Sequence, residues 1–290
     1  MAMFIAVCEA NGFAPAARRL AVSPSVVTRQ IARLEERLGV RLLHRTTRAV
    51  RLTDAGQRYL QRARQILADV EEAELSAQSE KSEPQGRLAV TAPLIFGRMH
   101  VAPVLARLTQ RFPRLAVELH LSDRISNLVE EGHDAAIRIG HLPDSQLIAR
   151  RLGETRRVLV GSPGYLRTAG RPKHPSDLSR WNLIAFSALA PTTDWPFQEN
   201  GAETRVRVAP RYVTNSGDAA ITQALDGGGL TFALCYQVKD AVAQGHLKEV
   251  LKDFSLPPVP ISAVYPSSRL LSSKVRALVD EIGRADWRLL

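Results

Sequence analysis

Apolar residues recur every three or four positions through the N-terminal part of the chain and in shorter alternating runs beyond it. Phe4, Ile5 and Val7 predict a first helix that stops near Asn11-Gly12, where glycine suits a helix C-terminus. A short second helix is expected over Pro15–Leu20, with Pro15 at the first position, where its missing N–H costs nothing. Ser23 and Pro24 are a good N-cap and first residue for a third helix. In it Val27, Ile31, Leu34 and Leu38 form one apolar stripe, and Gly39 ends it. The opposite side carries Ser25, Thr28, Arg29, Ala32 and Arg33. Arg41–Thr53 alternates and is rich in Arg and Thr, like a short hairpin with a basic tip. A longer helix follows from Asp54 to about Gln78, with Leu60, Ala63, Leu67, Val70 and Ala77 near heptad a and d positions and Glu74 interrupting. Such a helix either docks on its own domain or pairs with a second copy. Pairing through Leu60, Leu67 and Val70 is the expectation, because nothing in the head looks large enough to cover it. Ser79–Gly86 reads as a polar hinge.

Beyond the hinge, strand and helix patterns alternate. RLAVTAP, LAVELHLSD and HDAAIRIG read as strands, and HVAPVLARLTQRFP and ISNLVEEG as helices between them. RRVLVGSPGYL reads as strand, turn and helix, and AITQALDGGGLTFAL as helix, glycine turn and strand. SSKVRALVDEIGRAD is a closing helix with a stripe at Val275, Leu278, Val279 and Ile282. This alternation predicts an α/β fold with a largely parallel sheet.

Charge divides the chain in the same places. Residues 1–66 hold twelve Arg and four acidic residues, residues 67–84 six acidic residues and one Lys, and the remainder 26 basic and 19 acidic residues. The whole has a formal net charge of +10, which favours a polyanionic partner, nucleic acid first. Its 290 residues suffice for more than one domain. No apolar run is long enough to span a bilayer, so no membrane partner is expected, and Met1–Ala10 does not read as a secretory signal. A cytoplasmic protein is the natural reading. Cys8 and Cys235 read as buried small hydrophobes rather than a disulfide or metal pair.

Two short helices joined by a tight turn, the second with a polar outer side, describe a helix-turn-helix. The major groove admits one helix, whose N-terminal side chains meet base edges. Ser23, Pro24, Ser25, Thr28 and Arg29 lie at that end, and Arg29 can donate twice to a guanine edge. Arg33, one turn on, would reach bases or phosphate. Arg45, Arg48 and Arg51 on the hairpin would flank the groove and meet phosphates or the minor groove. Any one of these arginines alone reads better as a solvated surface charge; the turn, the caps and the basic head together favour double-stranded DNA.

The stretch AARRLAVSPSVVTRQIARLEERLGVRLLHRTTRAVRLTDAG resembles the N-terminal winged helix-turn-helix of LysR-type transcriptional regulators. FGRMHVAPVLARLTQRFPRLAVELHLSDR, DAAIRIGHLPDSQLIARRLG, LVGSPGYL and SSKVRALVDEIG resemble that family's effector-binding domain, in its branch with an Ile-Arg-Ile-Gly strand. The resemblance implies an α+β multidomain fold: a winged helix-turn-helix over 1–58, a linker helix and hinge over 59–86, and over 87–290 a two-lobed α/β domain like type-2 periplasmic binding proteins. Lobe 1 would hold about 87–161 and 266–290, and lobe 2 about 162–265. It implies a homodimer, paired again into a tetramer, with a small organic effector in the cleft between lobes and RNA polymerase as a further partner. Open α/β sheets bind ligands beyond the carboxyl ends of their strands. Those ends hold Thr91, Pro93, Leu94, Ser122, Asp123, Ile139 and Asn215 as candidate effector contacts. Backbone N–H groups at the helix starts that follow would favour a small anion such as a carboxylate; equally, Thr91 and Asn215 would serve only as helix caps.

Two departures stand out. Phe13 is followed by Ala14 where the family has Ser or Thr, so a side-chain cap of about 1 kcal/mol is missing. Met1 also falls in what is the middle of the family's first helix, so either a first turn is missing or the start lies upstream. An enzyme is the rival class, and the residues speak against it. The seven His form no metal-ligand spacing, no Gly-x-Ser-x-Gly occurs, and DGGGL ends a helix and precedes a strand, the reverse of a phosphate loop. Neither a metal nor a cofactor is expected. A solute-binding transport protein would share the body but needs export.

Overall fold

The computed structural model describes residues 1–45, 50–78, 83–124, 128–142, 147–190, 193–266, 272–285 and 287, in two compact units, Met1–Arg87 and Leu88–Leu290.

The first unit is built from α1 (Ala2–Glu9), α2 (Phe13–Arg19), α3 (Pro24–Leu38), the hairpin β1 (Leu43–Arg45) and β2 (Val50–Leu52), and α4 (Asp54–Gln78). Val27, Ile31 and Leu34 of α3 are buried with Phe4, Val7, Ala16, Ala17, Leu42 and Leu43. Each large apolar side chain taken from water there contributes about 1.5–3 kcal/mol. Leu38, expected on that stripe, is 40% exposed, because the last turn of α3 runs past this core. Gly39 then takes the left-handed conformation (φ 66°) that ends the helix. The second helix starts two residues earlier than the position of Pro15 suggests. Gly12 precedes it without a side-chain cap, and Pro15 sits third, where an N–H still has no intrahelical partner.

The start of α4 packs on this core through Ala55, Tyr59 and Leu60, with Ala63 buried one turn on. Leu60, expected to pair with a second copy, is half-buried and packs against this core. Further along, Leu67 is half-buried, while Ile66 and Val70 are exposed.

The second unit begins with β3 (Gly86–Ala92), α5 (Leu94–Phe96), a π-turn (Gly97–Val101), α6 (Ala102–Arg111), β4 (Leu115–Leu121), α7 (Leu128–Glu131), β5 (Ala135–Ile139) and β6 (Leu147–Thr155). It continues with β7 (Arg157–Gly161), α8 (Pro163–Ala169), β8 (Leu183–Phe186), β9 (Asp194–Glu199), β10 (Ala202–Arg207), β11 (Tyr212–Thr214), α9 (Gly217–Leu225), β12 (Leu230–Leu234), α10 (Cys235–Ala243) and β13 (Lys248–Val250). It closes with β14 (Val259–Pro266) and α11 (Ser273–Gly283).

Two five-stranded sheets result, β4-β3-β5-β14-β6 in lobe 1 and β11-β8-β12-β7-β13 in lobe 2. Both are mixed rather than largely parallel. β3 pairs parallel with β5, and β8 with β11 and β12, but β14 runs antiparallel to β5 and β6, and β7 antiparallel to β12 and β13. The same pairings correct the expected lobe limits: β7 lies in the second sheet and β14 in the first. The chain therefore crosses between lobes near Arg156 and again between Val250 and Val259. Backbone N–H of Cys235 donates to Arg156 O (2.9 Å) at this crossing, and Tyr236 packs edge-on against Phe96 of lobe 1. α6 and α11 cover the lobe 1 sheet around Phe96, Leu108, Leu278 and Ile282. The lobe 2 sheet is buried on both faces, under the β9–β10 hairpin with Trp195 and Phe197 and under α9 and α10. Cys8 and Cys235 are free thiols.

Candidate functional site

Ser23 occupies the N-cap position of α3, with Pro24 first in the helix. Its hydroxyl does not cap, contrary to the sequence expectation: Ser23 Oγ and Ser25 Oγ share a hydrogen bond of 2.9 Å instead. Thr28 Oγ1 donates to Pro24 O (3.0 Å), which leaves its lone pairs and methyl outward. Ser23, Pro24, Ser25, Thr28, Arg29 and Arg33 are all exposed, so the buried stripe and these residues occupy opposite sides of one helix. Arg29 and Arg33 are exposed, and neither forms an ion pair among the described residues.

On the hairpin, Arg51 is exposed and stands opposite His44. Arg45 ends β1 opposite Val50, and Arg48 lies outside the described residues. What holds the hairpin to α3 escaped the sequence reading. Glu35 Oε1 accepts the backbone N–H groups of Leu42 (2.8 Å) and Leu43 (3.1 Å). Thr53 closes the base, donating its N–H to Leu42 O (3.0 Å) and its hydroxyl to Arg41 O (2.8 Å). A Cβ on Gly56 would fall 2.0 Å from Leu42 O, so only glycine lets α4 approach there. The Leu-Thr-x-Ala-Gly element thus seats the hairpin.

In the second unit, the structure joins four of the candidate effector residues. Ser122 N donates to Ala92 O (3.0 Å), beside Pro93, and Leu94 N donates to Asp123 Oδ1 (3.0 Å). Ser122 Oγ accepts from Arg124 N (3.1 Å). Burial, and then nearby Asp218, push the Asp123 carboxyl up, against the pull of the Leu94 N–H. Thr91 is 2% exposed inside β3 and caps no helix. Ile139 packs against the lobe 1 core. Asn215 is exposed on lobe 2 and is not the cap of α9; Ser216 is, accepting from Ala219 N (3.3 Å).

Arg98 and Asp218, which the sequence reading missed, reach across the lobes at 3.8 Å. Both are exposed, so the pair contributes only about 0–1 kcal/mol. The lobes also meet where a Cβ on Gly217 would fall 2.9 Å from Ile95 Cδ1. Carboxylates already stand at both helix starts facing this contact, Asp123 on the first amide of α5 and Asp218 in the first turn of α9. Among the described residues, no group of His, Cys, Asp or Glu is placed to hold a metal, and no helix is long and apolar enough to cross a membrane.

Residues 1–57 match the family model described as bacterial regulatory helix-turn-helix protein, lysR family, and residues 81–287 match the LysR substrate binding domain. The chain is 36% identical over 292 residues to the HTH-type transcriptional regulator PtxR of Pseudomonas aeruginosa, covering 99% of this chain and 93% of that protein. It is 36% identical over 279 residues to the HTH-type transcriptional regulator DmlR of Escherichia coli K12, covering 96% and 91%. The structure is similar to that of CrgA, a LysR-type transcriptional regulator from Neisseria meningitidis (TM-score 0.62, 32% identity, 98% of both chains). It is also similar to the full-length structure of the Vibrio cholerae virulence activator AphB (TM-score 0.65, 26% identity, 98% and 97%). With a helix-turn-helix at one end and a substrate-binding domain filling the rest, the chain belongs to the LysR family of DNA-binding transcriptional regulators, which are not enzymes and whose activity responds to a small effector.

Proposed function

We propose that this regulator reads its operator through Ser25, Thr28, Arg29 and Arg33 of α3, entered at Ser23-Pro24, while Arg45, Arg48 and Arg51 of the hairpin hold flanking phosphates. The observation that carries this is the exposed polar face of α3 directly opposite its buried stripe. In this reading residues 1–58 bind DNA, 59–86 link and pair two copies, and 87–290 sense the effector. Pairing rests on the exposed part of α4, Ile66 and Val70 with Leu67 beside them, and places two α3 helices on two-fold-related half-sites; a dimer of dimers follows through the bodies.

The effector sits against Pro93, Leu94, Ser122, Asp123 and Asn215, with Thr91 and Ile139 behind. A carboxylate-bearing effector would take its charge partner from Arg98, since Asp123 already accepts the first amide of α5 and Ser216 caps α9. Its binding changes the lobe contact and thereby the spacing of the paired heads. RNA polymerase is a further partner, and a DNA target places the protein in the cytoplasm.

Arg29→Ala tests the reading. Operator affinity should fall by about 1–3 kcal/mol, roughly five- to 150-fold, with affinity for unrelated duplex changed far less. An unchanged ratio of operator to non-operator affinity, in a variant whose far-UV circular dichroism matches the parent, refutes base reading by Arg29.

A further inference from the structure

The outer face of lobe 1 carries a cluster that neither α3 nor the lobe contact uses. Glu281 of α11, only 11% exposed, is surrounded by three guanidinium groups. Arg107 Nε donates to its Oε1 (3.1 Å) and Arg284 Nη1 to its Oε2 (3.0 Å). Arg111 Nη1 stands 3.9 Å from Oε2, and its guanidinium lies 5.2 Å over the ring of Phe112. The hydrogen bond from Arg107 chiefly, and then Arg284, hold the Glu281 carboxyl below its ordinary value against the effect of burial, so it stays ionised and keeps the three arginines gathered.

One carboxylate among three cations leaves a formal surplus of two. Fastening α6 to α11 needs only one arginine, and gathered like charges repel. Arg111 makes no hydrogen bond to Glu281 and rests on the Phe112 ring, so it adds charge to the cluster without fastening the helices. All three side chains remain more than half exposed, at 52%, 56% and 58%, so the donors not spent on Glu281 face solvent. Guanidinium groups held in place in this way lose little freedom when they bind an oxyanion, and their paired donors match phosphate geometry.

We propose that Arg107, Arg111 and Arg284 form a phosphate-binding site on the outer face of lobe 1, with Glu281 as the internal carboxylate that gathers them. The chemistry is that of a phosphate oxyanion, whether free in solution or part of a DNA backbone.

The test uses the full-length chain and thermal unfolding in sodium phosphate against sodium chloride of equal ionic strength. The head arginines are common to every variant, so their contribution cancels in the comparison. Phosphate should stabilise the parent saturably. Arg111→Gln, which leaves both hydrogen bonds to Glu281 in place, should weaken the apparent affinity at least threefold. Glu281→Gln, which lets the gathered arginines disperse, should weaken it as well. Should Glu281→Gln fail to fold, Arg111→Gln alone decides.

The salt dependence of binding to a non-operator duplex separates the two sources. A slope of log K against log salt reduced by about 0.9 in Arg111→Gln assigns the site to a DNA phosphate. An unchanged slope with a weakened phosphate response assigns it to a free one. Equal phosphate responses in parent and Arg111→Gln overturn the proposal. So does a change of oligomeric state in that variant without a phosphate effect, which would make the face a protein contact.

Discussion

Glu35 sets the position of the hairpin. Its Oε1 takes the N–H groups of Leu42 and Leu43, two successive donors at the point where the chain leaves Gly39 and enters β1. Glu35→Ala leaves both part-buried donors without this acceptor, at about 1–3 kcal/mol each, or about 2–6 kcal/mol together. A unit the size of Met1–Arg87 has a total stability of only about 4–13 kcal/mol. The substitution therefore removes a large share of the head's stability. Glu35→Gln keeps an acceptor oxygen and loses only the charge, so it should cost about 1 kcal/mol.

The three tryptophans, Trp181, Trp195 and Trp287, all lie in the second unit, which makes the assay selective. In urea, circular dichroism should show the head transition of Glu35→Ala at lower denaturant, while tryptophan fluorescence reports an unmoved body. Operator affinity should fall as well, because the hairpin that carries Arg51 is no longer fastened to α3. A head transition within about 0.5 kcal/mol of the parent's would refute the argument that Glu35 carries the hairpin.

Other consequences separate residues that the sequence groups together. Leu60→Asp should unfold the head, since Leu60 packs into its core, whereas Val70→Asp should leave the head's circular dichroism intact and reduce the mass seen by light scattering to that of a monomer. Two carboxyls should give opposite pH signatures in urea midpoints. The Glu281 carboxyl is held below its ordinary 4.5, so its contribution is complete above that pH and is lost as pH falls through the depressed folded value. Glu281→Gln should accordingly be the weaker protein at neutral pH and converge with the parent in acid. Asp123 is shifted upward by burial, so holding it charged costs stability above its raised value, and that cost is relieved as pH falls through it. Asp123→Asn should gain over the parent near neutrality and lose that advantage in acid.

The helical head was legible because each helix carries its own period and its own stop. Ser23-Pro24 and Gly39 bracket α3, and three of its four stripe residues are buried. The fourth, Leu38, marks the limit of periodicity, which finds a face but not the point where the core beneath it ends. Strands β3, β4, β5, β7 and β12 of the body were legible from their own runs, β6, β9, β10, β13 and β14 were not, and no run told which strands would be partners. Nothing local to residues 157–161 or 259–266 tells which sheet receives them, and both went to the lobe opposite the expected one. Strand pairing is a property of the whole chain, and a parallel sheet is only the simplest closure of an alternating pattern.

The same distinction explains why one site could be read in advance and the other only in outline. The polar face of α3 belongs to one element, so helical spacing alone gathers Ser25, Thr28, Arg29 and Arg33. The lobe contact belongs to no single element. Asp123 meets the amide of Leu94 from a different strand end, and Arg98 meets Asp218 from a different lobe. Strand ends alone therefore included Thr91, which proves to be enclosed, and left out Arg98 and Asp218, whose positions depend on how the lobes come together. They also suggested open helix starts ready for an anion, when Asp123 from a distant strand end had already placed a carboxylate on the first amide of α5, and Asp218 stands in the first turn of α9 itself. The charge of a composite site is set by residues distant in sequence, and it becomes readable only once the fold has brought them together.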